Sequence, residues 1–180
     1  MISIKDIVSA WNRFFFQPIS PVPIATYRIL LGLVLLANYI LMIPDVTEWF
    51  TDQGTLSLAT AKRLAGGQGL NIFRWLPNAD WLVWAIFLIS FLAVITMTLG
   101  LFTRTSSIIV YITLISFHHR NSLILNSGDT FLRIATFLMM FAPAGAALSL
   151  DRLLRIARGK ESGPPEAKAP WVQRLSLIHI

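Results

Sequence analysis

The sequence predicts an all-α membrane protein. It reads as about four transmembrane helices in a bundle, with an amphipathic N-terminal helix and a short helix in the first outer loop. Three observations carry this. Only 13% of the 180 residues are charged, against about 25% in soluble domains. The hydrophobic residues, 55% of the chain, gather into runs of spanning length. Basic residues cluster after Asp151, beyond the last run, as cytoplasmic flanks do. The absence of cysteine excludes a disulfide framework and thiolate metal ligands. A formal charge of +6 would suit nucleic acid in a soluble protein. Its clustering in the tail points to membrane orientation instead, so the expected partner is the lipid bilayer and no nucleic acid.

The elements follow in chain order. Residues 1–20 contain "IKDIVSAWNRFFFQPI", with apolar residues at roughly helical spacing, which predicts an interfacial amphipathic helix. Pro23 to Ile43 is an apolar run broken only by Arg28, long enough to cross a hydrocarbon core of about 30 Å. In the loop from Pro44 to Asp80, "SLATAKRLAGGQGL" predicts a short helix stopped at Gly66 and Gly67. Trp81 to Leu101 is a second, uncharged span, and Ser106 to Phe117 a shorter third. Thr130 to Leu150 is a fourth run, carrying Arg133 and interrupted by Pro143. Trp49, Phe50, Phe73, Trp75, Trp81 and Trp84 flank the spans, as interfacial anchors do.

Arg152, Arg155, Arg158 and Lys160 after the fourth run, with Arg104 in the second turn, set the expected orientation: both termini cytoplasmic, and the residues 44–80 and 118–129 outside. Lys62, Arg63 and Arg74 count against this arrangement. The expected location is a bacterial inner membrane. Residues 21–152 form the expected transmembrane domain, and residues 153–174 a basic, Pro/Gly-containing cytoplasmic linker. The last six residues, "LSLIHI" (175–180), are what CTG-TCT-CTT-ATA-CAC-ATC encodes, a string that resembles a sequencing-library adapter. We therefore read 175–180 as adapter translation and expect the natural protein to continue past Arg174.

One polar stretch stands between two apolar runs: "HHRNSLILNSGD", His118 to Asp129. Ser127 is a candidate N-cap for the helix that follows, with Asp129 in its first turn. Asp129 and Arg133, spaced i, i+4, are expected to pair on one helical face. Leu123, Ile124 and Leu125 suggest a bend that dips toward the bilayer with its polar groups turned inward. The candidate polar pocket comprises His118, His119, Arg120, Asn121, Asn126, Asp129, Arg133 and Arg28. A buried arginine in a span calls for a partner or a path to the interface, so Arg28 either faces the bundle or snorkels to the cytoplasmic side. Neighbouring histidines on a helix diverge by about 100°, and the remaining donors are amides, so no metal is expected. A proton-handling histidine and a histidine that caps carbonyls both fit.

The segments "YRILLG", "WFTDQG" and "HHRNSLILNSGDTFLR" together resemble the HTTM (horizontally transferred transmembrane) domain family, relatives of vitamin K-dependent gamma-carboxylase. The family's bend is close to H-N-R-N-P-x-x-x-N-G-G-D. His118, Arg120, Asn121, Asn126, Gly128 and Asp129 match it, while His119, Ser122 and Ser127 depart from it. Arg133 fits the arginine of the following helix, and Trp49, Asp52 and Gly54 fit W-Y-T-D-x-G. The resemblance covers roughly residues 20–152.

It implies the N-terminal half of a membrane domain that, in animal relatives, carboxylates protein glutamate with oxidation of vitamin K hydroquinone. It also implies a catalytic lysine on a later helix. Lys5, Lys62, Lys160 and Lys168 lie in no matching motif, so no catalytic residue is assigned and no cofactor is specified. The reading is a fragment, itself inactive, of a carboxylase-like membrane enzyme. The alternative is a non-catalytic membrane module that binds a lipid, a quinone-like molecule or a protein. A transporter is the weakest reading, because the spans lack repeat symmetry.

Overall fold

A computed structural model describes residues 3–64, 70–77 and 79–165. The described residues form helices joined by turns, with no β-strand among them. The helices are α1 (Ile4–Phe16), α2 (Val22–Met42), α3 (Val46–Phe50), α4 (Leu58–Leu64), α5 (Asp80–Leu99), α6 (Thr103–Arg120), α7 (Ser127–Met139) and α8 (Leu150–Ala157). Short 3-10 turns at Ile43–Asp45, Ile72–Arg74 and Ser122–Ile124 connect some of them.

The amphipathic α1 begins at a capping box. The Ser3 hydroxyl accepts from the Lys5 N–H, and the Asp6 carboxylate accepts from the Ser3 N–H at 3.0 Å. Ile4, Ile7, Val8, Trp11 and Phe14 stand exposed to solvent along it, the apolar side that the helical spacing predicted. The expected short loop helix is α4; its expected stop at Gly66 and Gly67 lies outside the described residues.

Two helical stretches are long and apolar enough to cross a membrane: residues 22–50, in which α2 runs on through the 3-10 turn into α3, and α5. In the apolar part of the first, only 28% of the residues are buried. The core helix of a soluble protein hides its apolar residues. Here Leu30, Leu33, Val34, Ile40 and Leu41 face outward, as do Leu88, Ile89 and Leu92 of α5.

α6 is central, packing on both α5 and α7. It reaches 18 residues, about 27 Å at 1.5 Å per residue, longer than its apolar run suggested. Its buried side is rich in hydroxyls: Thr103, Ser106, Ser107, Thr113 and Ser116. Most satisfy themselves on backbone carbonyls, as Ser107 does on Thr103 (2.7 Å) and Ser116 on Ile112 (2.6 Å). This dilutes the hydropathy of a helix whose neighbours are other helices, and packing of small hydroxyl residues is the usual interhelical contact in a membrane bundle.

α2 packs along α5, and two of the contacts are specific. A Cβ on Gly32 would lie 2.1 Å from the Thr98 hydroxyl, so only glycine permits this approach. Nearer the other end, the Tyr39 hydroxyl bonds that of Ser90, which bonds that of Thr113 at 2.6 Å, tying α2, α5 and α6 together. Phe117 collects aromatic contacts from Phe50 (4.9 Å), Phe73 (5.3 Å) and Phe87 (6.1 Å).

The fourth apolar run is not one continuous helix. α7 ends after 13 residues at Met139, about 20 Å. Residues 140–149 then continue without regular helix, because Pro143 cannot continue the ladder. The expected boundary at residue 152 falls inside α8. The first part of the expected linker is also tied down: Arg152 and Arg155 donate to Glu161 at 2.9 and 2.8 Å, and Arg152 to the Gly163 carbonyl at 2.6 Å. Residues 166–180 lie outside the described residues.

Candidate polar pocket at the bend between α6 and α7

α6 ends where Asn121 turns extended and caps the next turn, its side-chain oxygen accepting the Leu123 N–H at 3.2 Å. The N-cap of α7 is Asn126, and Ser127, the candidate cap, is its first helical residue. The Asn126 side chain accepts from the N–H groups of Gly128 (2.7 Å) and Asp129 (3.2 Å), and Asp129 accepts from the Asn126 N–H at 2.8 Å. Asparagine is as good an N-cap as serine, and it carries the extended backbone that position needs.

This capping box uses the Asp129 carboxylate. Its side chain turns back toward the start of α7, away from the i+4 direction, and no ion pair joins it to Arg133. The Arg133 Nε is buried without a hydrogen-bond partner. Instead the other Asp129 oxygen lies 4.0 Å from Nε2 of His118. His118 is buried, and its Nδ1 has no partner.

Arg120, Asn121 and His119 hold the loops that close this end. Arg120, fully buried, donates to the Leu56 carbonyl at 3.0 Å and pairs with Asp52 at 3.4 Å. Asn121 donates to the Trp49 carbonyl at 3.1 Å. His119 Nδ1 lies 2.9 Å from the Leu70 carbonyl, so that nitrogen carries the proton. The "WFTDQG" segment is thus bound to the polar bend. Gly54 is needed there: a Cβ would meet the Glu48 carbonyl oxygen at 1.9 Å.

Beneath the bend lies a cavity of about 260 Å³. His118, Asn121, Asn126 and Asp129 form its polar wall together with Asn38, and Tyr39, Met42, Trp49, Phe117 and Leu125 are among its apolar walls. Arg120 does not line it. Arg28 does not belong to it at all: it is buried near the opposite end of the bundle, where it donates to the carbonyls of Ala144, Ala147 and Leu148. The partners are the open carbonyls of the irregular segment after α7, close to Asp151. Gly100 packs against this guanidinium with φ +77°, where a Cβ would also strike Ser149 at 2.5 Å.

Asn38 and Tyr39 were not anticipated as pocket residues. A polar pair in an otherwise apolar span was the available signal. Among the described residues no group of three acidic or histidine side chains is arranged to hold a metal ion. No family model, curated protein or solved structure matches the chain.

Proposed function

We propose that this chain is a membrane-embedded, HTTM-like domain. Its cavity takes the polar head of an amphipathic, quinone-like or lipid molecule, and His118 exchanges a proton with that head. One observation carries the reading: a buried histidine that lines a mostly apolar cavity lies 4.0 Å from a carboxylate, and its second nitrogen has no hydrogen-bond partner. Asp129 favours the proton on Nε2, which leaves Nδ1 to accept from a ligand hydroxyl. The ring edges of Tyr39, Trp49 and Phe117 suit an apolar ring or chain.

α2, α5, α6 and α7 are read as four crossings, with the shorter α7 completed by residues 140–149. The basic residues after α7 favour cytoplasmic termini, and a bacterial inner membrane is the proposed location. The resemblance adds a carboxylase-like reaction in which a lysine from a further helix would act. A second reading, a module that binds without catalysis, draws on Arg120, Asn121 and His119, whose polar groups are spent on loop carbonyls.

The test is binding of a short-tailed benzoquinone and its quinol to the chain in nanodiscs, followed by tryptophan quenching. Saturable binding of the quinol, weakened at least tenfold by His118→Ala and by Asn38→Leu, is the expected result. Equal binding by wild type and both variants removes the pocket from the function.

A further inference from the structure

A second concavity, of about 590 Å³, opens at the end of the bundle away from the polar bend. Its walls are the first turn of α6, the segment 140–146 and the start of α8. We propose that it binds the phosphate headgroup of an anionic phospholipid in the cytoplasmic leaflet. The proposal rests on the membrane reading above.

Four features converge there. α6 is an 18-residue helix whose N-cap, Phe102, supplies no side-chain acceptor. The Phe102 N–H itself goes to Asp151 at 2.7 Å, and the N–H groups of Thr103, Arg104 and Thr105 point out of the helix start with no acceptor. Such a terminus attracts anions through its free donors and its dipole. Independently, Thr103 is only 7% exposed, yet its hydroxyl, packed against Gly145 in the groove wall, has no hydrogen-bond partner.

Arg104 and Arg155 line the same concavity. The Arg155 Nε is held by Glu161, which fixes the side chain and leaves its terminal nitrogens to bind phosphate oxygens. Lastly, Phe102 is 75% exposed beside Met140 and Phe141. These apolar walls next to a phosphate site suit a lipid's glycerol and acyl chains, and an inorganic anion has no use for them. Asp151 also borders the groove. Its carboxylate is engaged by the Phe102 N–H, so the headgroup must sit on the Thr103 and Arg104 side.

The experiment uses the whole chain in nanodiscs of phosphatidylcholine with a minor fraction of phosphatidylglycerol, and reads the lipid retained per protein by native mass spectrometry. Phosphatidylglycerol should be enriched over its bulk share. The double variant R104Q/R155Q should lose about tenfold or more, since each basic residue near a lipid surface is worth about fivefold in binding. Thr103→Val, which keeps the side-chain shape, should lose severalfold.

Equal retention by wild type and both variants overturns the proposal. Binding of inorganic phosphate by the detergent-solubilised chain, with the same arginine dependence and no preference for phosphatidylglycerol, overturns the lipid assignment in favour of a free anion. Carbonate-resistant flotation with neutral phosphatidylcholine vesicles reads the membrane assignment separately. A chain that floats without selecting phosphatidylglycerol refutes only the headgroup site, and a chain that does not float refutes both.

Discussion

Replacing Arg120 by methionine isolates what holds the loop between α3 and α4 to the bundle. Methionine keeps much of the apolar stem and removes the guanidinium. The bond lost to the Leu56 carbonyl is charged, 3.0 Å long and buried, which makes it worth about 1.5–3 kcal/mol. The ion pair to Asp52 is 3.4 Å long, but the Asp52 side chain is 36% exposed, so water screens it to about 0.2–1 kcal/mol. R120M should therefore cost about 2–4 kcal/mol, and D52N about 1 kcal/mol or less. Thermal unfolding in mild detergent, as a double-mutant cycle of R120M and D52N, measures both and their coupling. Equal losses from the two single variants would show that the carboxylate, not the carbonyl, carries the clasp. A loss below about 0.5 kcal/mol for R120M would refute the clasp itself.

Gly32→Val should push α2 from α5 against Thr98, at a cost of about 1–3 kcal/mol for overpacking; a lowered melting temperature in detergent is the readout. Tyr39→Phe removes one hydroxyl from the chain that runs on to Ser90 and Thr113, and should cost about 1 kcal/mol in the same assay, because the Ser90–Thr113 bond survives. The pH response of the tail is set by Glu161, whose carboxyl is held below its ordinary value by hydrogen bonds from Arg155 and then Arg152. A depressed carboxylate contributes its tether fully above the unfolded value and loses it as pH falls through the lowered one. Proteolysis between Gly159 and Pro165 should therefore be slow at neutral pH and accelerate in acid below the usual carboxylate range. The variant E161Q should be cut equally fast at both.

The helical class was legible because long runs such as Trp81 to Leu101 leave few alternatives, and apolar residues at helical spacing announced α1. The polar bend was legible as a place where polar groups gather, because so many of them between two apolar runs need a destination. Their partners were not legible. Asp129 has Arg133 four residues ahead and Asn126 three residues behind; the backbone N–H groups at the start of α7 claimed it, because a helix start must satisfy its donors. Arg28 was placed with the bend on chemistry alone. Its position near the start of α2 puts it at the other end of the bundle, where the irregular segment after α7 leaves open carbonyls. Asp52 lies 68 residues from Arg120, and no local rule pairs side chains at that separation. The short fourth helix was hidden by composition, since residues 140–149 are as apolar as a helix would be.

The brevity of α7 has a consequence for the surrounding lipid. Across α2 the apolar surface extends over 21 residues, about 31 Å, whereas α7 offers about 20 Å before its regular helix ends. In a bilayer the two flanks therefore demand different hydrocarbon thicknesses. Matching the shorter flank means thinning the leaflet next to α7 or seating another helix there, at a cost that grows with each ångström of mismatch. Thin membranes should accept the protein more readily than thick ones, and its lateral neighbours should gather on the α7 side.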